Sequence, residues 1–108
     1  LREAQIQSAV IEHWRVRGRP GTLVAAIPNQ KAFGQAGLTP GLYDLVVIGP
    51  LGAGFLELKT EKGKLSAYQK TFGETCTQWG VLNAVAYGLE EALGMLSQWQ
   101  IFRSPNRS

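Results

Sequence analysis

Three side chains stand out for their type and spacing: Asp44, then Glu57 and Lys59 two residues apart. Leu42 and Leu45 to Ile48 flank the aspartate, and Phe55, Leu56 and Leu58 surround the other pair. If these stretches are strands, Glu57 and Lys59 project from one face. Charges in apolar surroundings are costly unless they are paired or bind a cation. Two arrangements meet that demand. One is a Glu57–Lys59 ion pair at a sheet edge with Asp44 capping a turn; the other is a cation site. Glu3 favours the second. It precedes Ile6 by three and Val10 by seven, so it shares the inward stripe of a first helix, with Gln7 beside it. Glu3, Asp44 and Glu57 together make an oxygen-ligand set suited to Mg²⁺ or Mn²⁺. Lys59 then stabilises charge gathering on a phosphoryl group, or helps deprotonate an attacking water. The competing reading of Glu3 is a solvated first turn, where the helix dipole favours acids.

Positioning those groups takes a helix and adjacent strands, and the patterning supplies them. Residues 3–15 read as a helix with Ile6, Ala9, Val10 and Trp14 inward, ended by Gly18 and Pro20-Gly21. Thr22 to Ile27 reads as a strand closed by Pro28, and residues 29–41 as a long loop. Leu42 to Ile48 and Phe55 to Thr60 form a hairpin across Gly49-Pro50-Leu51-Gly52. A helix runs from Ser66 to about Trp79, with Tyr68, Phe72, Cys76 and Trp79 on one face and Gly80 as its stop. Ser66 and Gln69 have capping-box spacing. Val81 to Tyr87 is a fourth strand, and Leu89 to Trp99 a last helix. The order α-β-β-β-α-β-α allows a hairpin followed by a parallel crossover, hence a mixed α/β sheet flanked by helices. Residues 1–102 are expected to form a single domain, with 103–108 a frayed tail.

The 108 residues suit one core, and no apolar run approaches the roughly 20 residues that span a bilayer. No basic segment leads into an apolar leader, and the chain opens at Leu1 rather than Met, so a few residues are expected to precede it. The single cysteine, Cys76, excludes an internal disulfide and a multi-thiolate zinc site, which fits a reducing compartment. Eleven Lys and Arg against eight Asp and Glu make the chain basic. Arg15, Arg17 and Arg19 form one cluster; Lys59, Lys62, Lys64 and Lys70 form another. Such clusters are either solvated faces or a nucleic-acid footprint.

Asp44 followed by Glu57-Leu58-Lys59 resembles the PD-(D/E)XK nuclease signature, with Tyr43 where the eponymous proline often sits. The wider pattern is similar to the VRR-NUC branch. It comprises Glu3 with Ile6-Gln7, Ile27-Pro28-Asn29, Gly41 to Leu45, Glu57 to Thr60, Lys62-Gly63-Lys64-Leu65-Ser66, Gln69 and Gly80. The resemblance implies a restriction-endonuclease-like fold and metal-dependent hydrolysis of DNA phosphodiesters. It implies Glu3, Asp44, Glu57 and the carbonyl of Leu58 as metal ligands, with Asp44, Glu57, Lys59 and Gln69 as the catalytic set. Gln69 is thereby claimed twice, by the helix cap and by the active centre, and a single side chain is not expected to satisfy both freely. Small stand-alone members resemble homodimeric Holliday-junction resolvases. The expected protein is therefore a Mg²⁺- or Mn²⁺-dependent homodimer that cuts branched DNA, chiefly four-way junctions, in the cytoplasm of a bacterium or of a phage's host. A catalytically inert DNA-binding module of the same fold and a monomeric flap or nicking enzyme are the alternatives.

Lys31, Lys62, Lys64, Arg17 and Arg19 are the candidate DNA contacts, with Phe33 beside Lys31. His13, the only histidine, has no nucleophile elbow to serve. Cys76, Trp79 and Trp99 fall on core faces of their helices. The glycines of GPLGAG lack the Lys-Ser/Thr of a phosphate-binding loop.

Overall fold

A computed structural model describes residues 1–28 and 36–104. Helix α1 (Glu3–Arg17) is followed by strands β1 (Leu23–Ala26), β2 (Leu45–Gly49) and β3 (Gly52–Lys59). Helix α2 (Ala67–Gln78), strand β4 (Leu82–Tyr87) and helix α3 (Leu89–Gln98) complete the order expected from patterning. The four strands form one sheet in the order β1-β2-β3-β4. β1 and β3 both run antiparallel to β2, whereas β3 and β4 are parallel. The parallel pair follows from α2, which returns the chain to the end of the sheet where β3 began.

The hairpin closes with Gly49 opposite Gly52 around Pro50-Leu51. Proline presets its own φ in such a turn, and Gly52 takes φ +109°, a conformation L side chains rarely adopt. This is why β3 begins at Gly52, three residues earlier than its apolar run suggests. β2 conversely starts at Leu45, leaving Asp44 just outside the strand.

Alternate residues of β3 separate the two layers. Leu56 and Leu58 pack with Ile6 and Val10 of α1, Ala92 and Leu96 of α3, and the following Trp99 and Ile101. Phe55 faces the opposite way, against Phe72 of α2. Glu57 and Lys59 share the parity of Phe55, so the sheet delivers both to the α2 layer. α1 and α3 thus supply most of the core, and α2 roofs the site.

The apolar face of α2 departs from expectation at both ends. Cys76 and Gly73 are buried, but Trp79 is 74% exposed and Tyr68 55%. Trp79 is the C-cap residue, with φ −102° and ψ 13°, so helical periodicity no longer governs where it points. Trp99 is in the core as expected, 7% exposed. Residue 103, read above as the start of a loose tail, is tied to α1. Its N–H donates to the Arg17 carbonyl at 2.9 Å and its guanidinium to the Val16 carbonyl at 2.8 Å.

Gly41 is a demanding position in the approach to the site. It has φ +93°, and a Cβ there would collide with the backbone carbonyl group of Tyr68. Gly41→Ala is expected to destabilise the protein by more than about 1 kcal/mol, read from denaturant midpoints at constant m-value.

Candidate active site

β2 and β3 stop pairing at Leu45 opposite Leu56; continued register would next set Asp44 against Glu57. Side chains take over there. The Asp44 N–H donates to Glu57 Oε1 at 3.1 Å, and the Leu58 N–H donates to Asp44 Oδ2 at 2.9 Å. Each strand thus holds the other's carboxylate, while the Asp44 carbonyl accepts from the Ile27 N–H at 2.8 Å and anchors the segment to β1. The Asp44–Glu57 juxtaposition is built from backbone donors and leaves little rotamer freedom to lose on binding a ligand.

Glu57 is 1% exposed and Lys59 9%. Lys59 Nζ lies 3.5 Å from Glu57 Oε2. The ion pair anticipated as one reading of the sequence is therefore real, but it lies on β3, an interior strand, and is buried. It does not exclude the cation site: Glu3, Asp44 and Glu57 each offer a carboxylate oxygen, all within 4.8 Å of one another. Glu3 reaches this cluster from the first turn of α1 while remaining an exposed residue, so it is solvated and convergent at once. Burial first, and the adjacent Asp44 carboxylate second, push the Glu57 carboxyl up to about 7 against the pull of Lys59. Crowded, desolvated carboxylates of this kind are stabilised by a divalent ion, and the all-oxygen donor set fits Mg²⁺ or Mn²⁺.

Gln69 resolves its double assignment by using both ends of its amide. Oε1 accepts from the Ser66 N–H at 2.9 Å, completing the cap in which Ser66 Oγ accepts the Gln69 N–H. Nε2 donates to Glu57 Oε2 at 2.8 Å. The expected conflict does not arise, because an amide has a donor end and an acceptor end. Helix cap and carboxylate centre are one hydrogen-bonded unit.

The candidate DNA contacts divide. Lys62 and Lys64 are exposed just beyond β3, although Lys62 shares its cleft with Glu61 and Glu90, which offset its charge. Arg17 and Arg19 lie around the opposite end of α1, about 21 Å from Glu3 at 1.5 Å per residue. There they line a cavity with His13, Gln100 and Arg103. Lys31, Phe33 and Asn29 lie outside the described residues. His13 stacks edge-on against Phe102 at 4.7 Å, and burial pushes the Cys76 thiol up. Neither joins the site. Missing from the sequence reading is the packing behind the centre, where Tyr43, Phe55 and Phe72 meet. A glycine in the middle of an amphipathic helix, Gly73, was its available signal.

Solved structures similar to this chain include two VRR_NUC domains. One, described as a VRR_NUC domain protein, matches with TM-score 0.78 over 92% of this chain and 88% of its own, at 21% identity. The fold is that of the VRR_NUC domain. A second, described as a VRR_NUC domain, matches with TM-score 0.64 over 89% of this chain and 94% of its own, at 24% identity. No family model matches the sequence, and no curated protein does. Within this VRR_NUC fold the carboxylates meet where the β2–β3 ladder ends, beside the N-terminus of α2.

Proposed function

We propose that the protein is a metal-dependent VRR-NUC endonuclease that hydrolyses phosphodiester bonds of branched DNA, four-way junctions in particular, as a homodimer in a bacterial cytoplasm. The observation that carries the reading is the convergence of Glu3, Asp44 and Glu57 beside Lys59, on the fold of VRR_NUC domains.

Glu3, Asp44, Glu57 and the Leu58 carbonyl would hold Mg²⁺ or Mn²⁺, which would supply Lewis-acid activation of water and of the phosphoryl oxygens. The remaining work falls to the chain. Asp44, fixed by the Leu58 N–H, and Glu57, fixed by the Asp44 and Gln69 donors, present their charges without reorganising. Lys59 brings a buried positive charge to the nonbridging oxygens of the phosphate and can exchange a proton with the attacking water. A new bond forms from the water oxygen to phosphorus, and one ester bond to sugar breaks. A phosphomonoester end and a hydroxyl end result. The ion pair with Glu57 orients the ammonium before substrate arrives.

Two symmetrical cuts require two centres, which a C2 dimer supplies. The separation of the basic groups has a consequence for substrate length. A duplex arm must extend about six base pairs past the scissile phosphate to reach Arg17 and Arg19, at roughly 3.4 Å per pair. Replacing both with alanine is expected to reduce the slope of log K against log salt by about 1 to 2. The cleavage rate of bound substrate should not change. A slope identical to wild type would remove this end of α1 from the footprint.

The deciding experiment is cleavage of a labelled four-way junction beside matched duplex and flap DNA with Mg²⁺ or Mn²⁺, with sedimentation of the free protein. Symmetrical cuts near the branch point by a dimer support the reading. Flap cutting by a monomer replaces the substrate assignment, and no cleavage of any substrate removes the enzymatic one.

A further inference from the structure

Behind the carboxylates, three aromatic rings occupy positions next to the groups of the site. Tyr43 directly precedes Asp44. Phe55 stands two before Glu57 on the same face of β3. Phe72 follows Gln69 by three on α2, on the same side of the helix. The rings touch in sequence. Tyr43 meets Phe72 edge-on at 4.9 Å, and Phe72 meets Phe55 edge-on at 5.1 Å. The Tyr43 residue is 2% exposed and lines a cleft with Gly73 and Asn83.

The Tyr43 hydroxyl abuts Gly73. A Cβ at position 73 would collide with Tyr43 Oη, while lying 3.5 Å from Cζ, an ordinary van der Waals distance. Glycine inside a helix is unfavourable unless a close approach requires it. Here the close approach of Tyr43 Oη requires it, and the notch lets α2 lie close against the Asp44 segment. The bond from Gln69 Nε2 to Glu57 Oε2, 2.8 Å long, depends on that spacing because Gln69 lies one helical turn before Gly73.

We propose that Tyr43 and Gly73 are positioning residues of the carboxylate centre, with Phe55 and Phe72 completing the packing. The Tyr43 ring is a wedge between β3 and α2, and Gly73 is the notch that receives it. The wedge fixes the placement of Gln69 against Glu57, and of Asp44 against Leu58. For catalysis the inference rests on the nuclease reading; for geometry it does not, since the Tyr43–Gly73 contact and the Gln69–Glu57 bond involve protein atoms alone.

The test is a rescue. In metal-free protein, the side-chain amide resonances of Gln69 report its bond to Glu57 directly. Gly73→Ala is expected to move them toward the position of a solvated glutamine. Tyr43→Phe, which removes only the colliding oxygen, should leave them unchanged, and Gly73→Ala combined with Tyr43→Phe should restore them. Mn²⁺ affinity by calorimetry should follow the same order, falling about tenfold in Gly73→Ala and recovering within about twofold in the double variant. A helix-propensity effect would instead make Gly73→Ala more stable and leave the Gln69 signal in place. Should Gly73→Ala not fold, Phe72→Leu, which introduces no collision, should shift the same resonances. Unmoved Gln69 resonances in a folded Gly73→Ala protein, or no recovery in the double variant, would overturn the inference. Wild type that binds no Mn²⁺ but shows the resonance pattern would overturn the nuclease reading and leave the positioning role standing.

Discussion

On the proposed nuclease reading, Lys59→Ala is expected to lose at least about a hundredfold in cleavage rate while junction affinity stays within a few-fold, as when a positioned charge or proton donor is removed from a phosphoryl-transfer site. Binding survives because Lys59 is one nearly buried cation among many exposed ones, and it contributes little to the long-range field. Chemistry is not expected to survive, because no other lysine or arginine is paired with the carboxylates among the described residues. The substitution has a second effect that must be separated from the first. Lys59 is what holds the Glu57 carboxyl down against burial and Asp44, so its loss drives that carboxyl higher still. At neutral pH, part of the defect would then be weaker metal binding. Single-turnover cleavage at pH 8.5 with saturating Mn²⁺ isolates the chemical role. If the variant recovers wild-type rates there, Lys59 serves only to keep Glu57 ionised.

Mn²⁺ affinity is expected to fall by up to about tenfold per pH unit below neutrality, because a proton would compete with the metal for Glu57. The direction follows from a carboxyl held at about 7: below that pH it is mostly protonated, and above it is free to coordinate. Its neighbours do not reverse the sign. The Asp44 carboxylate raises it, Lys59 and the Asp44 N–H lower it, and Gln69 donates to its Oε2. The same shift makes an opposite prediction for stability without metal. A carboxyl whose folded-state pKa lies above its unfolded value stabilises the fold fully below the unfolded value, and that contribution disappears as pH rises through 7. Metal-free protein is therefore expected to lose on the order of 1 to 3 kcal/mol of stability from this group between pH 4.5 and 8. Added Mn²⁺ should restore it at pH 8 and have little effect at pH 5. Thermal melts at both pH values with and without the ion decide the matter. A melting temperature insensitive to Mn²⁺ at pH 8 would mean that the three carboxylates do not form a site.

Much of the fold could be read from local pattern. The helices, the strands and their order follow from apolar periodicity, and the hairpin from Gly-Pro-Leu-Gly. The strand ends were less legible, because they depend on pairing. Leu42 to Asp44 has strand-like composition, yet β2 begins at Leu45, because the Asp44 N–H and carboxylate are used by Glu57 and Leu58. Trp79 reads as core by spacing, yet it faces solvent because the helix ends beneath it.

The sequence by itself determined which residues could do chemistry, since Asp44, Glu57 and Lys59 are two acids and a base in stretches too apolar to leave them idle. It also determined that Glu57 and Lys59 share a face, because side-chain alternation along a strand is a local property. Only the tertiary structure decided that Glu3 arrives within 4.8 Å of the pair from the far end of the sequence. Only it decided that one amide serves cap and carboxylate together, and that a tyrosine hydroxyl requires a glycine thirty residues away. Alternation and helical period act over a few residues, whereas these contacts depend on how closely whole elements approach, and that distance is set by packing across the sheet.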